Sequence, residues 1–585
     1  MRRILWIGLL AGWELAAQPF DRRPIPSAYQ APELAALTGA SDDLREIVER
    51  YAADRGSLQR FYDVPASPAT EGAMRPFYVA WRAALDRLDF NKLGLNARVD
   101  FLLFRNTLDH EIRQLDLNRA RVEETKALVP FASAIEALKE ARQRVDPLEP
   151  SQAATTVVNL NRQIDEVTRW INKGESLKIE KTVASRAARS VESLRESLRQ
   201  WYQFYQGYDP LFGWWVADPY KQVDGNLQKY AVALREKLAG VKREDRDTIL
   251  GDPIGREALE AELKREMVRY SPEELIEIAN RELAWCEAEM KKASREMGFG
   301  DDWRQALDRV KTLHVPPGRQ PALILEQALE AIDYVEKNDL ITVPPLARDT
   351  WRMQMMTPER QRINPFFTGG EVISVSFPTD GMSHEQKLMS MRGNNIHFSR
   401  ATVHHELIPG HYLQRFMNER HRPYRRLFGT PFWGEGWSLY WELLLWDLGF
   451  PKSPENRVGM LFWRMHRCAR IMFSLSFHLG KMTAGECVDF LVNRVGHERE
   501  NAAAEVRRSF ETNYAPLYQS AYLLGGLQFR ALHKELVGGK KMTNREYHDA
   551  ILKLNSIPVE MVRAILTRQT LARDFVPGWR FYGEL

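Results

Sequence analysis

The sequence predicts a mainly α-helical protein with one small β element, and three observations support this fold class. From Pro32 to about Leu238, apolar residues recur three or four positions apart within long charged segments, which is the spacing of amphipathic helices. Ser271-Pro272-Glu273-Glu274 combines a Ser cap, a Pro in the first turn and a Glu at the capping-box position. Residues 345–395 are richer in Gly, Pro and Asn, and Val372 to Phe377 alternates as a strand does.

The amino-terminal helices are recognised by their apolar faces. One face consists of Val99, Leu102, Leu103, Leu108, Ile112 and Leu115. Tryptophans and tyrosines crowd the stretch from Trp201 to Tyr220, and packing between helices is favoured there over a platform for substrate. We claim no functional site in this part of the chain.

The later elements follow from start and stop signals. The helix that begins after Ser271 should run to about Met297, and a Pro-Pro-Gly turn separates it from a helix over Ala322 to Asn338. The strand at Val372 to Phe377 is either an edge that pairs with a substrate backbone or part of a structural hairpin. Five further helices are predicted over Val458 to His478, Thr483 to Val495, Ala502 to Thr512, Pro516 to Val537 and Thr543 to Leu554.

The length of 585 residues allows two or three domains. We expect a signal peptide over residues 1–17, a helical region over 18–320 and a catalytic region over 321–585. Met1-Arg2-Arg3, the apolar run from Ile4 to Trp13 and the small residues ending at Ala17 have the three regions of a secretory signal. An uncleaved, buried amino-terminal helix is the alternative. The first interpretation predicts an exported protein, periplasmic or extracellular, with no stable membrane anchor.

The composition and net charge of the chain do not point to a nucleic-acid partner. The chain is 44% hydrophobic and 27% charged, with a formal net charge of +4, which is small for this length. Such a balance gives no indication of nucleic-acid binding. Cys286, Cys468 and Cys487 are widely spaced, without the pattern of a disulfide framework or a metal-binding pair, so free buried thiols are expected.

The strongest chemical motif is His405-Glu406-Leu407-Ile408-Pro409-Gly410-His411. A catalytic zinc usually takes three protein ligands and leaves a fourth position for water. His405 and His411 are the candidate ligands, and Glu406 has the place of the general base in the related H-E-x-x-H motif. The neighbouring His404 faces about 100° away from His405 on a helix, so it should be a supporting or surface imidazole.

The spacing of the two histidines requires a break in the helix. Positions i and i+6 of a continuous helix differ by about 120° around the axis and about 9 Å along it, so both imidazoles could not reach one ion. Pro409 lacks an N–H, and Gly410 permits a positive φ. We therefore predict a bulge or short kink at 408–410 that brings His411 into reach.

A third ligand should come from a nearby helix, and residues 433–442 offer Glu435 and Glu442. These carboxylates share a helical face but stand about 10 Å apart along it, so only one can bind the ion. The segment resembles the Asn-Glu-Gly-Phe-Ala segment of zinc aminopeptidases, whose Glu is the third ligand. That resemblance favours Glu435 and leaves Glu442 to orient a ligand or hold a substrate amine.

Taken together, the H-E-x-x-P-G-H motif and the E-G-W-x-x-Y-x-E segment at Glu435 to Glu442 resemble the bacterial family catalogued as domain of unknown function 885, which is grouped with the zincin peptidases. The resemblance covers most of the chain and implies a multi-helix zincin-like metallopeptidase fold with a small β element beside the active-site helix. It also implies catalytic roles for Tyr522 and His478, as donors to an oxyanion. The chain departs from the family pattern at Ser474, Met482 and Leu517-Tyr518, which puts substrate preference in doubt.

The resulting prediction is an exported zinc metallopeptidase that acts on a peptide or small amide. Hydrolysis of a non-peptide amide or ester is one alternative, and a non-catalytic envelope binding protein on the same scaffold is another. The ligand set also suits manganese, cobalt or iron. The substrate, the cleavage specificity and the oligomeric state do not follow from the sequence.

Overall fold

The computed structural model describes residues 42–64, 67–173, 178–242, 248–361, 366–512 and 514–583. The predicted signal peptide at residues 1–17 lies outside the described residues. The described part is mainly helical, as predicted. None of its helices is long and apolar enough to cross a membrane.

Contacts divide the chain into two compact units. Unit 1 takes Ser57–Phe77 and Arg119–Lys242, and unit 2 takes the described residues of Ala31–Gly56, Tyr78–Asn118 and Arg243–Leu585. The helices α1 (Arg45–Phe61), α2 (Pro68–Asp86) and α3 (Leu95–Thr125) have residues in both units. This division differs from the expected boundary at residue 320, because residues 248–320 belong to unit 2.

Unit 1 is built on four helices: α4 (Ala132–Arg144), α5 (Pro150–Asn172), α6 (Lys181–Tyr205) and α7 (Pro210–Ala233). Their apolar faces form one core, in which Val157, Leu198 and Trp201 are almost completely buried. The aromatic stretch from Trp201 to Tyr220 is therefore partly core, as predicted. Four of its aromatic side chains are instead exposed: Phe204 to 46%, Tyr208 to 64%, Trp214 to 83% and Trp215 to 50%.

Unit 2 carries the remaining elements: α8 (Gly255–Arg265), α9 (Pro272–Glu296), α10 (Trp303–Lys311), α11 (Gln320–Lys337), α12 (Pro345–Thr350), β1 (Arg352–Met355), α13 (Pro358–Gln361), β2 (Val372–Val375), α14 (His384–Gly393), α15 (Ile396–Glu406), α16 (His411–Asn418), α17 (Pro431–Asp447), α18 (Pro454–His478), α19 (Ala484–Phe490), α20 (Arg499–Phe510), α21 (Tyr518–His533), α22 (Asn544–Leu552) and α23 (Val559–Leu566). The predicted capping box is present at the start of α9, where Ser271 and Glu274 bond to each other's backbone N–H groups.

The core of unit 2 centres on the buried helix α18, which packs against α9 and α21. The α9 face that meets it includes Leu275, Ile278 and Leu283, all completely buried. This packing explains why residues 248–320 belong to unit 2. Cys286, Cys468 and Cys487 lie in the same core as free, buried thiols, as predicted.

The two strands form a small parallel sheet, with Arg352 opposite Val372 and Met355 opposite Val375. The strand prediction at Val372 to Phe377 is confirmed in type, and Ser374 also forms an antiparallel bridge with Thr368, as the hairpin alternative requires. Ser374 exchanges two backbone hydrogen bonds with Thr368, of 2.7 and 3.1 Å. The backbone of Ser374 is therefore already paired within the chain.

Candidate metal centre

The helix that carries the first histidine ends directly after the motif begins. Asn395 caps α15 by accepting from the backbone N–H groups of His397 and Phe398. The helix stops at Glu406, and α16 begins at His411. The predicted kink is thus a complete break over residues 407–410, and it brings the ring centroids of His405 and His411 to 4.9 Å from each other.

The role predicted for Gly410 is wrong in its detail. Its φ is −80°, which any residue adopts, so no positive φ is needed. Glycine is required there because a Cβ would overlap the carbonyl oxygens of His405 and His404. The indole N–H of Trp437 donates to the carbonyl of Pro409 across 2.9 Å and ties the break to α17.

The structure brings the three predicted ligand residues together. Thr430 caps α17 and Pro431 occupies its first turn, which places Glu435 one turn into the helix. Nε2 of His411 lies 3.0 Å from Oε2 of Glu435, and Nε2 of His405 lies 3.7 Å from the same oxygen. One ligand atom from each residue lies within 4.8 Å of the other two. Within the described ranges, this is the one such group of three or more His, Cys, Asp and Glu side chains.

The second nitrogen of each histidine is also held. Nδ1 of His405 lies 2.7 Å from Oε1 of the buried Glu442, and Nδ1 of His411 lies 3.5 Å from Oε1 of Gln414. Glu442 therefore stands behind His405, as its supporting role required. Histidines that bind metals commonly donate their remote N–H to a carboxylate or carbonyl, so this donor set fits a divalent cation.

The pKa values of the cluster residues depend on burial and on their contacts with one another. Burial alone would lower the pKa of His405, but its contacts with Glu435 and Glu442 raise that pKa to about 9. Burial alone would raise the pKa of Glu435, but His411 and His405 hold that pKa well below its usual range. The carboxylate is thus ionised and ready to act as a ligand, whereas the imidazoles must give up protons to a metal.

Glu406 lies at the edge of this cluster and is half-buried. Burial raises the pKa of its carboxyl group. A Cβ on Gly369 would overlap the Glu406 carboxylate, so the backbone of the segment leading into β2 passes directly over this side chain. The small β element therefore lies beside the motif helix, as predicted.

Tyr522 lies beside the cluster, and a second tyrosine lies closer. The Tyr522 ring is nearly parallel to that of His405, with centroids 6.2 Å apart, and its hydroxyl donates to the Tyr518 hydroxyl across 3.4 Å. Tyr518 in turn donates its hydroxyl to Oε1 of Glu435. Tyr518 is one of the departures from the family pattern, and its contact with Glu435 was not predicted from the sequence. Its position one turn before Tyr522 was the signal that could have found it.

Two other histidines lie apart from the cluster. His478 is the last residue of α18, and its ring contacts are with Phe477 and Phe510. The role predicted for His478 stays a prediction. His404 is 1% exposed, which excludes the surface alternative. Its Nδ1 donates to the Arg400 carbonyl across 3.0 Å, and burial lowers its pKa to about 4.

The fold and this cluster define a class: a mainly helical protein with a partly buried cluster of two histidines and one glutamate. The chain belongs to the family of bacterial proteins of unknown function (DUF885), which matches residues 51–566. No curated protein matches the chain significantly.

Two solved structures are similar in fold. A candidate lipoprotein of unknown function from Shewanella oneidensis has a TM-score of 0.65 and 18% identity, and the match covers 90% of this chain and 100% of that one. A candidate lipoprotein from Colwellia psychrerythraea has a TM-score of 0.56 and 15% identity, covering 93% and 99% of the two chains. At these identities the likeness shows the fold alone.

Proposed function

We propose that this protein is a zinc-dependent hydrolase of peptide bonds. The observation that carries the proposal is the convergence of His405, His411 and Glu435 within 4.8 Å, with Glu442 held 2.7 Å behind His405. A buried cluster of this composition is costly unless its charges are compensated, and a divalent cation compensates them. A zincin relationship for the family is part of the same proposal.

The side chains around the cluster supply the remaining functions. A zinc ion bound there would act as a Lewis acid and would lower the pKa of a water molecule. Glu406 accepts the proton of that water and passes it to the leaving amine. Burial raises the pKa of Tyr522 to about 12, so its hydroxyl stays protonated, and its proton would turn from Tyr518 to the oxygen of the scissile carbonyl. Tyr518 holds the second oxygen of Glu435.

We also propose export to the cell envelope. Support comes from the signal-like composition of residues 1–17 and from the two similar structures, which are described as candidate lipoproteins. The amino-terminal sequence of the protein recovered from periplasm and cytoplasm tests this proposal. Recovery from the cytoplasm alone, with residues 1–17 intact, would contradict it.

The first experiment measures metal content per chain by elemental mass spectrometry. We expect about one zinc in the wild type and in His384→Ala, which removes an exposed imidazole outside the cluster, and none in His411→Ala. Equal zinc in the wild type and His411→Ala would exclude the cluster as its site. A wild type without metal after incubation with zinc would refute the hydrolase proposal.

The second experiment determines which bond is cleaved. The zinc-loaded protein is incubated with a panel of short peptides, acylated amino acids and esters, and products are identified by mass spectrometry. Peptide cleavage supports the proposal. Cleavage confined to non-peptide amides or esters would show that the enzyme acts on that substrate class and not on peptides. Bound zinc without any turnover would indicate a binding protein instead.

A further inference from the structure

An arginine beside the metal centre has no hydrogen bond to any residue that the structure describes. Arg467 lies on α18 and is only 8% exposed. Its closest carboxylate contact is 3.9 Å, from Nη2 to Oε1 of Glu442, and that oxygen already accepts from His405. Nε of Arg467 is completely buried without an acceptor among the described residues, which is costly because its N–H has lost water without gaining a partner.

Arg467 is one of three guanidinium groups around Tyr522. The guanidinium carbons of Arg467 and Arg470 lie 4.7 and 4.5 Å from the centroid of the Tyr522 ring. Arg508, from α20, is close enough to both Tyr522 and Glu505 to shift their pKa values.

The other two arginines have partners. Arg470 donates from Nε to Oε1 of Glu505 across 2.8 Å, and its Nη2 lies 2.7 Å from the same oxygen in an ion pair. Arg508 is half-buried and donates to the Tyr514 hydroxyl across 3.2 Å. Glu505 is therefore engaged by Arg470, and Arg467 is the guanidinium for which the described residues provide the fewest acceptors.

The balance of charges around the cluster also favours the binding of an anion. Four carboxylates lie in this region, those of Glu406, Glu435, Glu442 and Glu505, against three guanidinium groups. A divalent cation adds two positive charges, so the loaded centre carries one positive charge in excess when its histidines are neutral. Excess charge in a buried site favours a ligand of opposite sign.

We propose that Arg467, assisted by Arg508, binds a carboxylate of the substrate beside the metal centre. This inference rests on the proposed function and names its substrate class: peptides that carry a carboxylate next to the scissile bond. Arg467 offers a planar pair of N–H donors that matches a carboxylate, and the half-buried Arg508 adds a second positive charge near the same tyrosine. The carboxylate comes either from a free carboxyl terminus or from an acidic side chain.

The experiment compares three probes that differ in the carboxylate. These are N-acetyl-Ala-Phe, its carboxyl-terminal amide, and N-acetyl-Ala-Glu with an amidated terminus. Binding is measured by calorimetry to the zinc-loaded Glu406→Gln protein, which does not consume the probes. We expect at least one carboxylate probe to bind tenfold or more tightly than the neutral amide. The probe that does so identifies the source of the carboxylate.

Substitutions of the arginines test which residue causes the preference for a carboxylate. Arg467→Gln should reduce the tenfold preference to about one, and Arg508→Gln should reduce it at least threefold. Arg457→Gln removes the same charge ten residues earlier on α18, where the guanidinium pairs with Glu296, and should keep the preference. Zinc content and circular dichroism verify folding. If Arg467→Gln does not fold, Arg508→Gln and Arg467→Lys, which keeps the charge but loses the planar fork, carry the test.

Each outcome decides the proposal. The carboxylate site is refuted if all three probes bind equally to the zinc-loaded Glu406→Gln protein, or if the preference for a carboxylate survives when Arg467→Gln is added. The two proposals fail differently. A protein that cleaves peptides without preferring a carboxylate lacks the subsite, whereas one that prefers the carboxylate probe but cleaves nothing lacks the hydrolase activity.

Discussion

His405 donates from Nδ1 to Oε1 of Glu442 across 2.7 Å, and both side chains are almost fully buried. This hydrogen bond fixes the orientation of the imidazole ring and turns Nε2 towards Glu435. The two residues are 37 positions apart and lie on α15 and α17. The pair therefore links the motif helix to the helix that carries the third proposed ligand.

Glu442→Gln should weaken zinc binding by about 10- to 100-fold, because the neutral amide neither orients His405 as strongly nor increases its basicity. The apparent Kd is measured by competition with a chelator. One zinc per chain should still bind at saturation, since the three ligands remain.

Glu385→Gln is the matched control, because this glutamate is exposed on α14 and pairs with Arg392. It should leave the zinc affinity unchanged. An unchanged affinity in Glu442→Gln would show that the hydrogen bond to His405 does not support metal binding.

Glu406→Gln should keep one zinc per chain and lose about 10²- to 10⁴-fold in kcat, because the amide cannot accept the proton of the attacking water. The rate is measured on the best peptide found in the panel. Glu419→Gln, which removes an exposed carboxylate directly after α16, should retain full activity. A zinc-loaded Glu406→Gln protein with the wild-type rate would remove Glu406 from the mechanism.

Gly525→Ala should reduce the free energy of unfolding by about 1–3 kcal/mol, because α17 and α21 touch through their backbones there. A Cβ on Gly525 would lie 2.8 Å from Cα of Gly436 and would overlap the carbonyl oxygen of Phe432. Gly434→Ala is the control on the same helix pair. It has no atom within 4 Å of an added Cβ and should be neutral or stabilising by up to about 1 kcal/mol.

Denaturant unfolding of both variants tests this packing prediction. Because α17 carries Glu435 and α21 carries Tyr518, Gly525→Ala should also weaken zinc binding. Equal stability of the two variants would show that the helices can separate without cost.

Acidification should destabilise unit 2 through the buried His548. Its Nδ1–H donates to the Leu340 carbonyl across 2.7 Å, and its Nε2 accepts from the Tyr440 hydroxyl across 2.8 Å. Burial lowers its pKa to about 3. The unfolded chain, with a histidine pKa of about 6.5, then binds more protons between about pH 6.5 and 3. The contribution of His548 to the free energy of unfolding is fully present above this window and falls by up to about 1.4 kcal/mol per pH unit within it.

In His548→Gln, the free energy of unfolding should therefore fall less steeply between pH 6 and 5 than in the wild type, by about this slope. This difference in slope is expected whatever the substitution does to stability at pH 7. Denaturant unfolding at a series of pH values measures both slopes. Parallel profiles for the two proteins would mean that His548 does not remain neutral in the folded state.

Local chemistry predicted much of unit 2. The cap at Ser271 and the apolar period after it predicted a helix to about Met297, and α9 covers Pro272–Glu296. Alternation over Val372 to Phe377 predicted the strand. These signals depend on a few neighbouring residues, so they can be read without knowing the rest of the fold.

Other features depended on distant partners. The α17 sequence does not show which of Glu435 and Glu442 faces Nε2 of both histidines and which faces Nδ1 of His405, since both carboxylates share one helical face. Gly369 and Tyr518 are 37 and 112 positions from Glu406, and Arg467 is 61 positions away; their nearness to the cluster follows from how α18, α21 and the β2 segment pack.

The sequence by itself determined the helical class, the residue types of the centre and the need for a break between His405 and His411, because each follows from helix geometry and side-chain chemistry. The tertiary structure decided where the break begins, which carboxylate stands behind His405 and which arginine is left with unused donors. Those outcomes depend on side chains from separate helices meeting in one buried space, and local sequence does not specify such meetings.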